Sequence, residues 1–206
     1  MHHRDGVFVM RVGGDELMST LRTRSELRLA ELGCEQLGRA ERAKVLVGGL
    51  GFGFTLRRVL ELVPDDAQVR VAEMIPQIVA WNRAHLQSVN GALIDDARVE
   101  ILIDDVYAVI ERAQPGEYDA VLLDVDNGPI ALVDAGNARL YSAAGLRVLS
   151  RALRPGGRAV VWSADPDRPF MNRLTAAGFR ATAIDSKAYP KAKRDRHTLI
   201  IADRPG

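Results

Sequence analysis

The clearest pattern along the chain is a repeated exchange between short apolar runs and segments whose apolar residues recur at helical spacing. Lys44-Val45-Leu46-Val47 reads as a buried strand, and Leu56, Val59, Leu60 and Val63 then follow one helix face. Between them Gly48, Gly49, Gly51 and Gly53 make a turn nearly bare of side chains. The exchange continues with a strand at Val69–Glu73 and a helix opened by Pro76 that carries Ile78, Val79, Trp81, Asn82 and Leu86. A third strand, Val99–Ile103, precedes a helix from Val106 to Arg112, and a fourth, Asp119–Asp124, precedes a long helix from about Ala138 to Leu153. The continuous apolar run Ala120–Leu123 is the signature of a parallel strand covered on both faces. Strands at Arg158–Trp162, Phe179–Ile184 and His197–Ala202, with a helix at Pro169–Ala177, complete the series. The pattern predicts an α/β fold: a doubly wound, mostly parallel, Rossmann-like seven-stranded sheet with helices on both faces.

Ahead of this series, Val7–Met10 and Glu16–Met18 flank Val12-Gly13-Gly14-Asp15, a hairpin signal. A helix from Ser25 to Gly38, with Leu27, Ala30, Leu32 and Leu37 on its apolar face, leads into the first central strand. The expected division is a β-hairpin appendage at 1–22 and a nucleoside-binding α/β domain at 23–206. The Phe8/Met10/Val12 stripe on so short an appendage predicts an interface, and with it a homodimer.

The glycine spacing narrows the ligand. A dinucleotide fingerprint needs Gly or Ala five residues after Gly49, where Phe54 stands, and a Walker loop needs Lys after Gly53. What remains, Gly49-x-Gly51-x-Gly53, is the arrangement of S-adenosylmethionine-type sites. Twenty residues beyond Gly53, Glu73 closes the second strand, where a carboxylate can accept hydrogen bonds from both ribose hydroxyls. The third strand ends in Asp104-Asp105 and the fourth in Asp124-Val125-Asp126. In an open parallel sheet these ends share one ligand crevice.

Composition removes other classes. Among 206 residues the formal charge is +1, which leaves neither nucleic acid nor a membrane surface as an implied partner. The apolar runs are too short to span a bilayer, and MHHRDGVFVM does not read as a signal peptide. The single cysteine, Cys34, fits a reducing cytoplasm, and His2, His3, His85 and His197 show no metal-ligand spacing.

VLVGGLGFG at 45–53, VAEMIP at 71–76, DDVYAVI at 104–110, YDAVLLDVDNGP at 118–129 and RALRPGGRAVVW at 151–162 resemble the class I S-adenosylmethionine-dependent methyltransferase fold. Within it they resemble the spermidine synthase (aminopropyltransferase) group, and DGVFVMRVGGDELMSTLRTRSELRLAEL is similar to the small β portion and linker helix of those synthases. The resemblance implies that Gly49, Gly51 and Gly53 approach the methionine-like moiety and ribose, that Glu73 holds the ribose, and that Asp105 or Asp104 accepts the adenine amino group. It implies that Asp124 faces the amine substrate, with Asp126 beside it. Two features depart from the pattern: Phe52 stands where an Asp is usual, and Asn127 where a second strand-four Asp is usual. Lys187, Lys191, Lys193, Arg194 and Arg196 also crowd the last interstrand loop, which would suit an anionic acceptor if the loop folds over the pocket. Three functions compete on these grounds. The first is aminopropyl transfer from decarboxylated S-adenosylmethionine to a polyamine, without a metal. The second is methyl transfer from S-adenosylmethionine to a small molecule, and the third a catalytically silent nucleoside-binding protein.

Overall fold

The structure, a computed structural model, describes residues 1–12, 15–21, 23–38, 40–125, 137–186 and 197–206. In chain order its elements are β1 (His2–Arg4), β2 (Val7–Val12), β3 (Asp15–Ser19), α1 (Arg24–Cys34), β4 (Lys44–Gly48), α2 (Phe54–Leu62), β5 (Gln68–Ala72), α3 (Pro76–His85), α4 (Gln87–Asn90), a short 3-10 turn (Leu93–Asp95) and β6 (Val99–Leu102). There follow α5 (Val106–Arg112), β7 (Tyr118–Leu123), α6 (Asn137–Leu140), α7 (Ala143–Ala152), β8 (Leu153–Ser163), α8 (Arg168–Ala176), β9 (Arg180–Ser186) and β10 (His197–Asp203).

The central sheet has the order β6-β5-β4-β7-β8-β10-β9, with β10 antiparallel to both neighbours. Strand alternation sorts the apolar side chains into two cores. Val45, Val47, Val69, Val71, Ala120 and Leu122 join the helices α1, α2 and α3 on one face. Leu46, Val121, Leu123, Val161 and Ile200 meet α5, α7 and α8 on the other. The central strands β4 and β7 therefore read as unbroken apolar runs because helices cover both of their faces.

Helix α1 lies tight on β7. A side chain added at Gly33 would put its Cβ 2.0 Å from Leu122 Cδ2, so this glycine in the last turn is a contact requirement. At the same end of α1, Arg158 of β8 donates to Leu32 O (3.0 Å) and Glu35 (2.8 Å). Because Arg158 lies in register with Ala120, low on β7, the first turn of α1 points toward the carboxyl ends of the strands.

Several expected boundaries move. The appendage is a three-stranded antiparallel sheet, β1-β2-β3, rather than one hairpin; His2-His3-Arg4 has no apolar alternation to announce a strand. Phe8 and Met10 are not an open stripe, since both are buried in the core with α1 and α2. The long helix expected from Ala138 is broken into α6 and α7, where Ser142 Oγ accepts a hydrogen bond from Gly145 N (3.1 Å) and restarts the helix. Strand β8 begins at Leu153, ahead of the Pro155-Gly156-Gly157 turn signal, because Leu153 already pairs with Tyr118.

Candidate active site

The glycine turn at the end of β4 is built by hydrogen bonds to its two neighbouring strands. Gly49 N donates to Ala72 O (2.8 Å) at the end of β5, and Asp124 N donates to Gly48 O (2.9 Å) from the end of β7. Gly49 (φ 89°), Gly51 (φ 51°) and Gly53 (φ 85°) all lie in the left-handed region that favours glycine. Gly49 has a second reason: a Cβ there would sit 2.4 Å from Asp124 O. A Cβ at Gly51 would meet Met18 Cε at 2.7 Å, so the small N-terminal sheet closes against the turn. Asn82 Nδ2 donates to Gly51 O (2.9 Å) and Asn90 Nδ2 to Phe52 O, fixing the turn from behind. Phe52 itself is 2% exposed and belongs to the core, so its ring adds no functional group to the crevice.

Glu73 is 6% exposed and held at both oxygens: Oε2 accepts from Leu50 N (3.0 Å) and Oε1 from Ile75 N (2.8 Å). Two backbone donors fix the carboxylate while its remaining lone pairs stay available to a diol. Beside it Ile75 and Ile103 are 44% and 51% exposed, and Met74 is exposed as well. Large apolar side chains left open on either side of a locked carboxylate fit a flat nucleobase above a ribose.

Asp104 and Asp105 follow at the end of β6. Asp104 N donates to Glu73 O (3.2 Å), which brings the two strand ends together. The Asp104 carboxylate pairs with Arg112 (2.6 Å) and accepts from Asp105 N (2.8 Å), and the Arg112 bond holds its pKa below the usual carboxylate range. Asp105 caps α5 by accepting from Tyr107 N (2.9 Å) and pairs with Arg139 (2.9 Å). Arg139 also lies over the Tyr107 ring, 4.4 Å from its centroid.

Asp124, half-buried at the end of β7, accepts a hydrogen bond from Thr55 Oγ1 (3.1 Å) in the first turn of α2. Burial pushes its carboxyl up to about 6, with the Thr55 bond pulling the other way. A second acid whose protonation is tied to that of Asp124 is Glu26 in the first turn of α1, which the sequence did not single out. Burial, then the Asp124 charge, pushes Glu26 up to about 7, while Ser25 Oγ donates to Glu26 Oε2 (2.7 Å) and opposes the rise. The structure thus brings Gly49, Gly51, Gly53, Glu73, Asp104, Asp105 and Asp124 together at the carboxyl ends of four neighbouring parallel strands. Asp126, Asn127 and the basic loop at 187–196 lie outside the described residues. No group of three or more metal-type ligands occurs among the described residues.

A parallel sheet reversing beside its first strand, one antiparallel strand near the far edge, and a glycine turn facing a strand-end acid define the class I methyltransferase-type α/β fold. The spermidine synthase of Thermotoga maritima shares it, with a TM-score of 0.73 at 20% identity over 95% of this chain and 65% of that one. So does a spermidine synthase solved with the transition-state analogue AdoDATO (TM-score 0.71, 19% identity, 95% and 64% covered). Residues 28–174 match the model of the spermine/spermidine synthase domain, and the chain belongs to that family. The polyamine aminopropyltransferase 2 of Pseudomonas aeruginosa is 36% identical over 141 residues, 65% of this chain and 38% of the relative. The polyamine aminopropyltransferase of Mycobacterium tuberculosis H37Rv is 33% identical over 124 residues (59% and 23%). Putrescine N-methyltransferase 1 of Nicotiana tabacum is 33% identical over 115 residues (55% and 28%). The matched regions span about a quarter to two-fifths of these curated relatives' length.

Proposed function

We propose that the protein is an aminopropyltransferase, moving the aminopropyl group of decarboxylated S-adenosylmethionine to an amine of a small polyamine. The observation that carries this reading is the half-buried Asp124 carboxyl, raised to about 6, beside the glycine turn. A carboxyl group of that affinity can take a proton from an ammonium as its nitrogen becomes a nucleophile near neutral pH. A sulfonium leaving group departs as a neutral thioether and needs no acid, which agrees with a site rich in carboxylates.

In this reading Glu73 holds the ribose hydroxyls, Ile75 and Ile103 flank the adenine, and Asp104 or Asp105 receives its amino group. Gly49, Gly51 and Gly53 let the sulfonium chain lie on the backbone of the turn. Asp126, two positions after Asp124 in the sequence, is assigned to the acceptor as well. A cytoplasmic location and a homodimer complete the reading, the exposed Leu21 just after β3 being an apolar residue left open on the appendage.

The likeness to a putrescine N-methyltransferase favours one second reading, methyl transfer to the same kind of amine from S-adenosylmethionine. The test is release of the adenosyl thioether on incubation with putrescine, cadaverine or spermidine and each sulfonium donor. Asp124→Asn keeps an acceptor oxygen for Thr55 but loses the base, and turnover should fall on the order of a hundredfold. Full activity in that variant removes Asp124 from the chemistry.

A further inference from the structure

From Ala159 to Ser163 strand β8 is closed at every position but one. Ala159, Val160, Val161 and Ser163 are fully buried, yet Trp162 between them is only half-buried, so a large aromatic side chain borders open space at the end of a closed strand. The strand register shows where that space lies. Strands β7 and β8 run parallel with Leu123 beside Val161, and one residue further along each stand Asp124 and Trp162. Neighbouring strands lie about 4.8 Å apart, so Asp124 and Trp162 stand side by side at the carboxyl ends.

Both also project from the same face of the sheet. Leu123 and Val161 belong to the core shared with α5, α7 and α8, so alternation sends the next residues to the opposite face. Trp162 accordingly packs against the core of α1 and α2, and Asp124 is held by Thr55 Oγ1 (3.1 Å) from the first turn of α2. On its far side the indole is supported by β10. His197 lies against it with ring centroids 4.6 Å apart, and Leu199 pairs with Trp162 across the strands. Strand β7, with Asp124 at its end, lies on the other side.

We propose that Trp162 is an acceptor-binding residue whose indole face forms one wall of the amine pocket, next to the Asp124 carboxylate. The proposal rests on the amine-acceptor reading above and adds to it a residue that selects the acceptor. An aliphatic ammonium asks two things of its site. Its N–H groups need an acceptor, which Asp124 supplies, while its charge and the methylene stem beside it are attracted to an aromatic face. An indole has one N–H donor and no acceptor, so it takes none of the ammonium's hydrogen bonds from Asp124. Trp162 then favours a cationic amine on an aliphatic stem over a neutral or anionic acceptor in the same place. A tryptophan that only roofed the core would be indifferent to the amine.

The experiment reads binding of 1,4-diaminobutane to protein saturated with 5′-methylthioadenosine in two ways. In calorimetry, Trp162→Ala should bind the diamine about tenfold or more weakly with thioadenosine affinity unchanged, and Trp162→Phe should recover most of the loss. In fluorescence, Trp81→Phe leaves Trp162 as the only tryptophan, and its emission should shift as the diamine is added. That readout keeps the indole in place, so it decides the matter should the alanine variant fail to fold. Equal diamine affinity in wild type and Trp162→Ala, an emission indifferent to the diamine, or no diamine binding to wild type overturns the proposal. Aminopropyl transfer by wild type, with an unchanged KM for the diamine in Trp162→Ala, leaves the proposed function standing and removes Trp162 from it. Diamine binding that depends on Trp162, without aminopropyl transfer, does the reverse.

Discussion

Replacing Glu26 by glutamine should stabilise the ligand-free protein in mild alkali and leave it nearly unchanged in mild acid. The sign follows from the direction of the shift. Glu26 binds its proton more tightly when folded, at about 7, than its ordinary value of 4.5. Stability that depends on the protonated form is complete below 4.5 and is lost as the pH rises through about 7. At about 1.4 kcal/mol per tenfold change in proton affinity, the rise corresponds to roughly 3 kcal/mol. Glu26 is half-buried, and water screens part of that, so about 1–2 kcal/mol is expected. For a chain of this size 1 kcal/mol moves the Tm by about 2–4 °C. Thermal melts of wild type and Glu26→Gln at pH 5 and pH 8.5 should therefore differ by about 2–8 °C more at the higher pH. The glutamine keeps an oxygen for Ser25, so loss of that hydrogen bond cannot mimic the effect. A Tm difference that is flat in pH, or that favours wild type at pH 8.5, refutes a Glu26 carboxyl that binds its proton more tightly in the folded protein.

Three further outcomes are expected. Gly49→Ala should lose about 2 kcal/mol or more in denaturant unfolding, because its φ is 89° and its Cβ would meet Asp124 O; a loss under about 0.5 kcal/mol would contradict the close strand contact. Glu73→Ala should cost about 1.5–3 kcal/mol of adenosyl-thioether affinity by calorimetry, and unchanged affinity would place the ribose elsewhere. Light scattering at tens of micromolar should give a dimer mass, whereas a concentration-independent monomer removes the dimer from the proposed reading.

Much of the fold was legible because burial on both faces leaves little freedom in the strands: Val45–Val47, Val69–Ala72 and Ala120–Leu123 can hardly be anything but central. The crevice was legible for the same reason, since strand ends in such a sheet are neighbours whatever the loops do. The break between α6 and α7 was hidden because Leu140, Leu146 and Leu149 face one core together and keep a helical rhythm across it. Only the Ser142 cap interrupts them. The polar strand β1 carries no alternation, and its identity comes from pairing His3 with Phe8, whose rings stack at 4.2 Å. Glu26 was missed because an acid in the first turn of a helix has an ordinary explanation in the helix dipole. Its setting in the fold depends on α1 lying over β7, a contact set by Gly33 and Leu122 that no local pattern encodes.

The most direct test of the proposed activity is a competition between donors. Purified protein is given putrescine with equal amounts of S-adenosylmethionine and its decarboxylated form, and the amine products are separated and weighed by mass spectrometry. Aminopropyl transfer should dominate, with spermidine as the product, and it should collapse in Asp124→Asn. N-methylputrescine as the main product, or no modified amine from wild type, would contradict the proposed function.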